Sequence, residues 1–260
     1  DNLSELLLTS CLSSGLGRVA FHTQHLRQLK KLNLARNHLP WESLNTLPEA
    51  SFWPTLEVLD LSDNPLAEHL PELLSGKPII KLRELSIDNC SLDNPHFIRT
   101  FLPQRFSNLE GLSVACNPFL SFEILRVIAD QARFPVLKNL TLLLHEDRFS
   151  ARPRATPEDI EAARFFTESS VMANLKSLKA SPTSPWLEAL TNTTKGNNLE
   201  ILILPRMLSQ VALYQQFVEK ANFPALRELT IVLPLAHGKS IFDTLKATGR
   251  FPKLVRVSGT

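Results

Sequence analysis

Ten times the chain returns to a short leucine phrase, at intervals of about 27 residues. The phrases include LSELLLTSC from Leu3, LKKLNLARN from Leu29, LEVLDLSDN from Leu56 and LRELSIDNC from Leu82. LEGLSVACN from Leu109, LKNLTLLLH from Leu137, LKSLKASPT from Leu175 and LEILILPRM from Leu199 follow. LRELTIVLP from Leu226 and a clipped LVRVSGT from Leu254 complete the set. A fixed period of this length means stacked units, none of which can bury its apolar face alone. Successive first leucines lie 26, 27, 26, 27, 28, 38, 24, 27 and 28 residues apart, so one spacing is long and one is short.

The shared frame, L-x-x-L-x-L-x-x-N/C, resembles the leucine-rich repeat, with a strand in the phrase and a helix or turn after it. The resemblance covers essentially the whole chain. Units this long leave room for a true helix and are similar to the ribonuclease-inhibitor-like branch. The implied fold is α/β, a leucine-rich-repeat solenoid of about ten repeats. Helices are about 10 Å across and strands pack about 4.8 Å apart, so such an array bends with its strands inside. The expected result is a horseshoe with a parallel β-sheet on the concave side and helices on the convex side.

One unit shows how the phrase works. Leu56, Leu59 and Leu61 are predicted to point into the core. Val58, Asp60 and Ser62 alternate with them and point outward, because strand side chains switch faces every residue. Asn64 turns the chain, and its amide can bond the backbone of the turn in a ladder of stacked copies. Leu66, Leu70, Leu73 and Leu74 then return at helical spacing up to Lys77-Pro78.

The other connectors read alike. Helices are predicted in the stretches before Leu137, Leu175, Leu226 and Leu254. The second opens on Thr156-Pro157-Glu158-Asp159, a cap followed by a first-turn proline and acids at the positive helix end. An aromatic and a proline close several connectors: Phe52-Trp53-Pro54, Phe134-Pro135, Phe223-Pro224 and Phe251-Pro252. The aromatic is predicted to seal the gap between helices and strands, and the proline to stop the helix.

The unbroken period points to a single domain over residues 1–260, with an irregular insertion at about 145–160. Leu3 opens a phrase at once and Leu254 opens one at the end. Arrays normally carry capping repeats, so the expectation is a fragment of a longer protein. Charge is nearly balanced, with 28 basic and 26 acidic residues, which gives no support to nucleic acid as partner. No apolar run reaches the roughly 18 residues of a membrane span. The three cysteines cannot form a complete disulfide framework. Cys11 and Cys90 occupy the ninth phrase position and are read as buried thiols under the turn, which fits a cytoplasmic setting.

Motifs for chemistry are weak. His22 and His25 lack the acidic neighbour and helical spacing of a zinc protease site, and His145-Glu146-Asp147 has nothing to complete a metal shell. No phosphate loop or nucleophile elbow occurs. The expectation is no enzyme, no cofactor and no metal.

Binding is therefore sought on the outward strand positions. The fifth position of the phrases runs Leu7, Asn33, Asp60, Ser86, Ser113, Thr141, Lys179, Ile203, Thr230 and Ser258. Its middle is small and hydroxyl-rich, suited either to a bound chain or simply to water. Ile201, Ile203 and Pro205 face outward together if the frame holds. They are either an apolar docking patch or the sign of a register shift near the 24-residue spacing. The long spacing carries Arg148, Arg152 and Arg154 in a polar loop, read either as a rim that contacts an acidic partner or as a tolerated insertion. The resemblance implies a protein-protein interaction scaffold with a protein partner on the concave face and rim loops. The alternative is a substrate-recognition arm of a larger enzyme, a ubiquitin ligase or bacterial effector, whose catalytic part lies outside these residues.

Overall fold

The structure, a computed structural model, describes residues 3–11, 26–67, 69–117, 122–143, 156–181, 183–205, 211–232 and 235–258. The chain divides into two compact units, Asp1–Leu120 and Ser121–Thr260. Each is a stack of parallel strands.

In the first unit, β1 (Glu5–Leu7), β2 (Lys31–Asn33), β3 (Val58–Asp60), β4 (Glu84–Ser86) and β5 (Gly111–Ser113) pair in sequence order. The second holds β6 (Asn139–Leu142), β7 (Ser177–Ala180), β8 (Ile201–Leu204), β9 (Glu228–Ile231) and β10 (Arg256–Ser258), paired likewise. Every strand sits in one of the leucine phrases. The first, fourth and sixth positions are inward, and from the second phrase to the ninth all of them are at most 2% exposed. Leu3 is exposed and Leu254 half-buried; among the described residues β1 and β10 each pair with one strand. Register follows from that burial. A slip of one residue would turn each leucine set outward.

The second phrase position ties each coil to the next. The Lys30 carbonyl accepts both Glu57 N–H and Val58 N–H, at 2.7 and 3.0 Å. In the second unit the Lys176 carbonyl takes Glu200 N–H and Ile201 N–H in the same way.

Strands of the first unit end in one repeated turn. The eighth residue of each phrase, Ser10, Arg36, Asp63, Asn89 and Cys116, has φ between 50° and 59°, in the left-handed region. Such backbone is unfavourable for non-glycine residues and must be held by its surroundings. The ninth residue holds it. Asn64 is fully buried, and its amide nitrogen donates to the Leu34, Leu61 and Ser62 carbonyls at 3.0 to 3.2 Å. Its oxygen accepts Leu39 N–H at 2.8 Å. Asn117 repeats this on Ile87, Val114 and Ala115, and accepts Cys90 N–H and Leu92 N–H. Each asparagine thus binds its own turn and the preceding coil, as the ladder predicts.

Helices differ between the units. The first has α1 (Trp41–Leu44), α2 (His69–Ser75) and α3 (Leu102–Arg105), with 3-10 turns at Leu47–Glu49 and Trp53–Thr55 and a π turn at Phe97–Phe101. The second has α4 (Phe122–Ile128), α5 (Pro157–Thr167), α6 (Ser170–Asn174), α7 (Ser184–Asn192), α8 (Val211–Lys220) and α9 (Leu235–Thr248). There α4 packs on α5, α5 on α7, α7 on α8 and α8 on α9. The single helix expected before Leu175 is two. Ser169 takes an extended conformation and its hydroxyl accepts Met172 N–H, starting α6 afresh. Thr156 and Asp159 form the capping box at the head of α5.

The aromatics before the prolines lie in the core. Phe52, Trp53, Phe134, Phe223 and Phe251 are all buried. Trp53 also donates its indole N–H to the Lys77 carbonyl at 2.9 Å. Gly196 lets its backbone lie against Phe223, where a β-carbon would stand 2.2 Å from the ring.

Replacing Asn64 with alanine leaves Leu39 N–H unmatched at a buried turn and removes three bonds to carbonyls that keep other donors on Asn37, Cys90 and Arg36. The expected loss is about 1–3 kcal/mol, the cost of one unsatisfied buried group. Urea unfolding followed by circular dichroism measures it. A change below half a kcal/mol, by the same principle, would mean that the ladder does not hold the turn.

Candidate functional site

Strand pairing places the fifth phrase positions side by side. In the first unit Leu7, Asn33, Asp60, Ser86 and Ser113 are register partners from β1 to β5. In the second, Thr141, Lys179, Ile203, Thr230 and Ser258 are partners from β6 to β10. Between Asn33 and Thr230 every member of the row is half-buried, as expected for a side chain standing on a sheet beside its neighbours.

The two faces differ in chemistry. In the first unit several outward polar groups are hydrogen-bonded to one another. The Asn33 amide donates to Asp60 at 3.0 Å and accepts from the Thr9 hydroxyl and from Ala35 N–H. Asp60 accepts Ser62 N–H at 3.0 Å. The Ser113 hydroxyl donates to Asp88 at 2.7 Å, and Asp88 also accepts Ala115 N–H. Carboxylates dominate the outward positions, with Glu5, Asp60, Glu84 and Asp88 against Lys31. The Glu5 carboxylate, 2.8 Å from Lys31 Nζ, pushes that lysine's pKa up.

The second face is apolar at its centre. Ile201 and Ile203 are half-buried while Leu202 and Leu204 between and after them are fully buried. Ile201 is registered with Ser177 and Glu228, and Ile203 with Lys179 and Thr230. No register shift accompanies the 24-residue spacing; the shortening is taken up in the connector holding α7 and the 3-10 turn Gly196–Asn198. Pro205 and Val232, which follow the registered pair Leu204 and Ile231, extend the apolar strip and are half-buried too. Val232 and Asp88 were absent from the candidate residues, yet both stand at the seventh phrase position, where the same two-residue alternation places them outward.

Charges on this face are few. Arg256 lies 3.5 Å from Glu228. Lys179 is half-buried beside Ile203, and among the described residues it has no ion pair or hydrogen bond. Arg148, Arg152 and Arg154 lie outside the described residues, as do His22, His25 and His145.

The helical side offers less. A shallow recess of about 210 Å³ lies between α5 and α7, bordered by Ile160, Arg164, Pro185, Glu188 and Asn192. Phe165 is exposed, with the Arg126 guanidinium 5.6 Å from its ring centre. Among the described residues no cluster of three or more His, Cys, Asp or Glu side chains is placed to hold a metal ion. No helix of the described residues is long and apolar enough to cross a membrane.

The thiols depart from the sequence reading at one place. Cys90 is buried as expected, but Cys11 is exposed. Its N–H still bonds the Asn37 side chain at 2.8 Å, so the turn forms; among the described residues β1 pairs with β2 alone. Thr183, at the ninth position of its phrase, starts α7 directly in place of a turn, and its hydroxyl has no partner among the described residues.

Residues 55–76 match the family described as Leucine Rich Repeat. Among solved structures, the chain resembles one from the crystal structure of the Rad7 and Elc1 complex in yeast. That likeness has a TM-score of 0.55 at 14% identity and covers 95% of this chain and 72% of the other. The fold is a leucine-rich-repeat solenoid. No curated protein matches the chain in sequence. The repeat array accounts for the strand rows, but outward residues vary freely within it.

Burial pushes the Cys90 thiol up to about 12. The thiolate is the reactive species, so at pH 8 Cys90 stays protonated and inert in the native chain. A thiol-reactive dye at pH 8 should modify Cys11 quickly and Cys90 only in denaturant, as peptide mapping would show. Equal native labelling of both would contradict the buried turn.

Proposed function

We propose that the chain is a non-catalytic protein-interaction module that holds a polypeptide segment on its strand faces. The observation that carries this is the register. Residues at one phrase position form continuous rows of half-buried side chains within each unit, backed by a fully buried leucine layer. A rigid surface loses little freedom on binding, so most of the contact free energy is retained. The helices of α5, α7, α8 and α9, 9 to 14 residues long, support the ribonuclease-inhibitor-like branch. Free thiols at Cys11, Cys90 and Cys116 support a cytoplasmic setting.

A second reading is favoured by the structural neighbour, a chain from a complex of two proteins. On that reading the array is the recognition arm of a larger assembly, and any catalytic part lies in another polypeptide or domain.

Site-specific photo-crosslinking in the native host tests the strand-face reading. A benzophenone side chain is placed at Ser86, Thr141 or Thr230 on the strands, or at Glu72, Glu161 or Glu219 on the helices. Strand positions are expected to give discrete adducts with another polypeptide, and helix positions few. Adducts confined to the helix positions would contradict it.

A further inference from the structure

The face of β7 to β9 has a chemistry that narrows the partner, and this step rests on the strand-face reading above. Ile201, Ile203, Pro205 and Val232 form one half-buried apolar strip. Alternate side chains along a strand repeat every 6.6 Å or so, the same repeat that an extended segment presents. Such a segment can therefore cover the strip with its own alternate side chains.

Lys179 adds a sign. It is the register partner of Ile203, half-buried, and without an ion pair among the described residues. The other charges on outward positions of this unit, Arg256 and Glu228, neutralise one another. An apolar segment alone would cover an ammonium with nothing to match it, which is costly. An Asp or Glu beside the apolar side chains would supply the missing charge. The first unit's face offers the opposite case. Asn33 already bonds Asp60 and Ser113 already bonds Asp88, and its net charge is negative. A carboxylate-bearing segment is repelled there and attracted to the second face.

We infer that β7 to β9 form a docking wall for an extended acidic segment, whose alternate apolar side chains rest on Ile201, Ile203, Pro205 and Val232 and whose carboxylate pairs with Lys179.

Selection of random twelve-residue peptides on the immobilised full chain tests this. Peptides from the wild-type chain should be enriched in Asp or Glu next to aliphatic or aromatic residues. Selection on Lys179→Glu should instead enrich Lys or Arg, a reversal that misfolding does not produce. For one selected acidic peptide, Lys179→Glu should raise Kd about tenfold or more, since like charges repel where opposite charges attracted. Ile203→Ser should weaken both acidic and basic peptides. Failure to select any peptide, absence of acid enrichment, or acid enrichment unchanged by Lys179→Glu would overturn the proposal. Peptides that bind without an acid preference yet are lost in Ile203→Ser would leave the strand face as the docking surface and remove only the charge rule.

Discussion

The structure depends on the burial of three apolar positions in each phrase, which no coil can achieve alone. Leu56, Leu59 and Leu61 are dry because coils on both sides and the connector behind them cover them. Burying each such leucine contributes roughly 1.5–3 kcal/mol, enough to make any slip of register unfavourable. From that one constraint the rest follows. Equivalent positions meet, the outward positions become rows, and a surface is assembled from residues some 27 positions apart in sequence.

The units meet this constraint by different means, and their faces differ with them. The first closes each strand with a left-handed residue, followed from β2 to β5 by a buried asparagine or cysteine, and its outward polar groups bond one another. At Thr183 the second leaves the strand directly into a helix, and its connectors carry the longer helices. Its outward residues include the apolar strip on β8 and β9 and the ammonium of Lys179. A polar face bonded within itself gains less from an acidic segment than does an apolar strip beside Lys179, which has no ion pair among the described residues.

Much of this was legible in the sequence because leucine spacing is a local signal. The inward and outward alternation at Leu56 to Ser62 and the row from Leu7 to Ser258 follow from a period of two within a period of about 27. Asn64 and Asn117 were readable as turn residues because a buried amide needs several partners, and only a tight turn offers them at once. Other features depend on neighbours in space. Cys11 and Cys90 share the ninth phrase position, yet the first is exposed and the second buried. The break between α5 and α6 depends on one serine hydroxyl reaching Met172 N–H. The register of Ile201 and Ile203 stayed ambiguous because a 24-residue spacing does not say where the deletion falls. The carboxylate of Asp88 belongs to the polar network through Ser113, on the next strand.

Hydroxyl-radical footprinting of the full chain, free and with a bound polypeptide, tests most directly whether the strand side is the working surface. Side-chain oxidation at Ile201, Ile203 and Val232 should fall on binding, while the exposed Phe165 on α5 keeps its reactivity. Loss of reactivity at Phe165 with no change on the strip would place the partner on the helices and contradict the account.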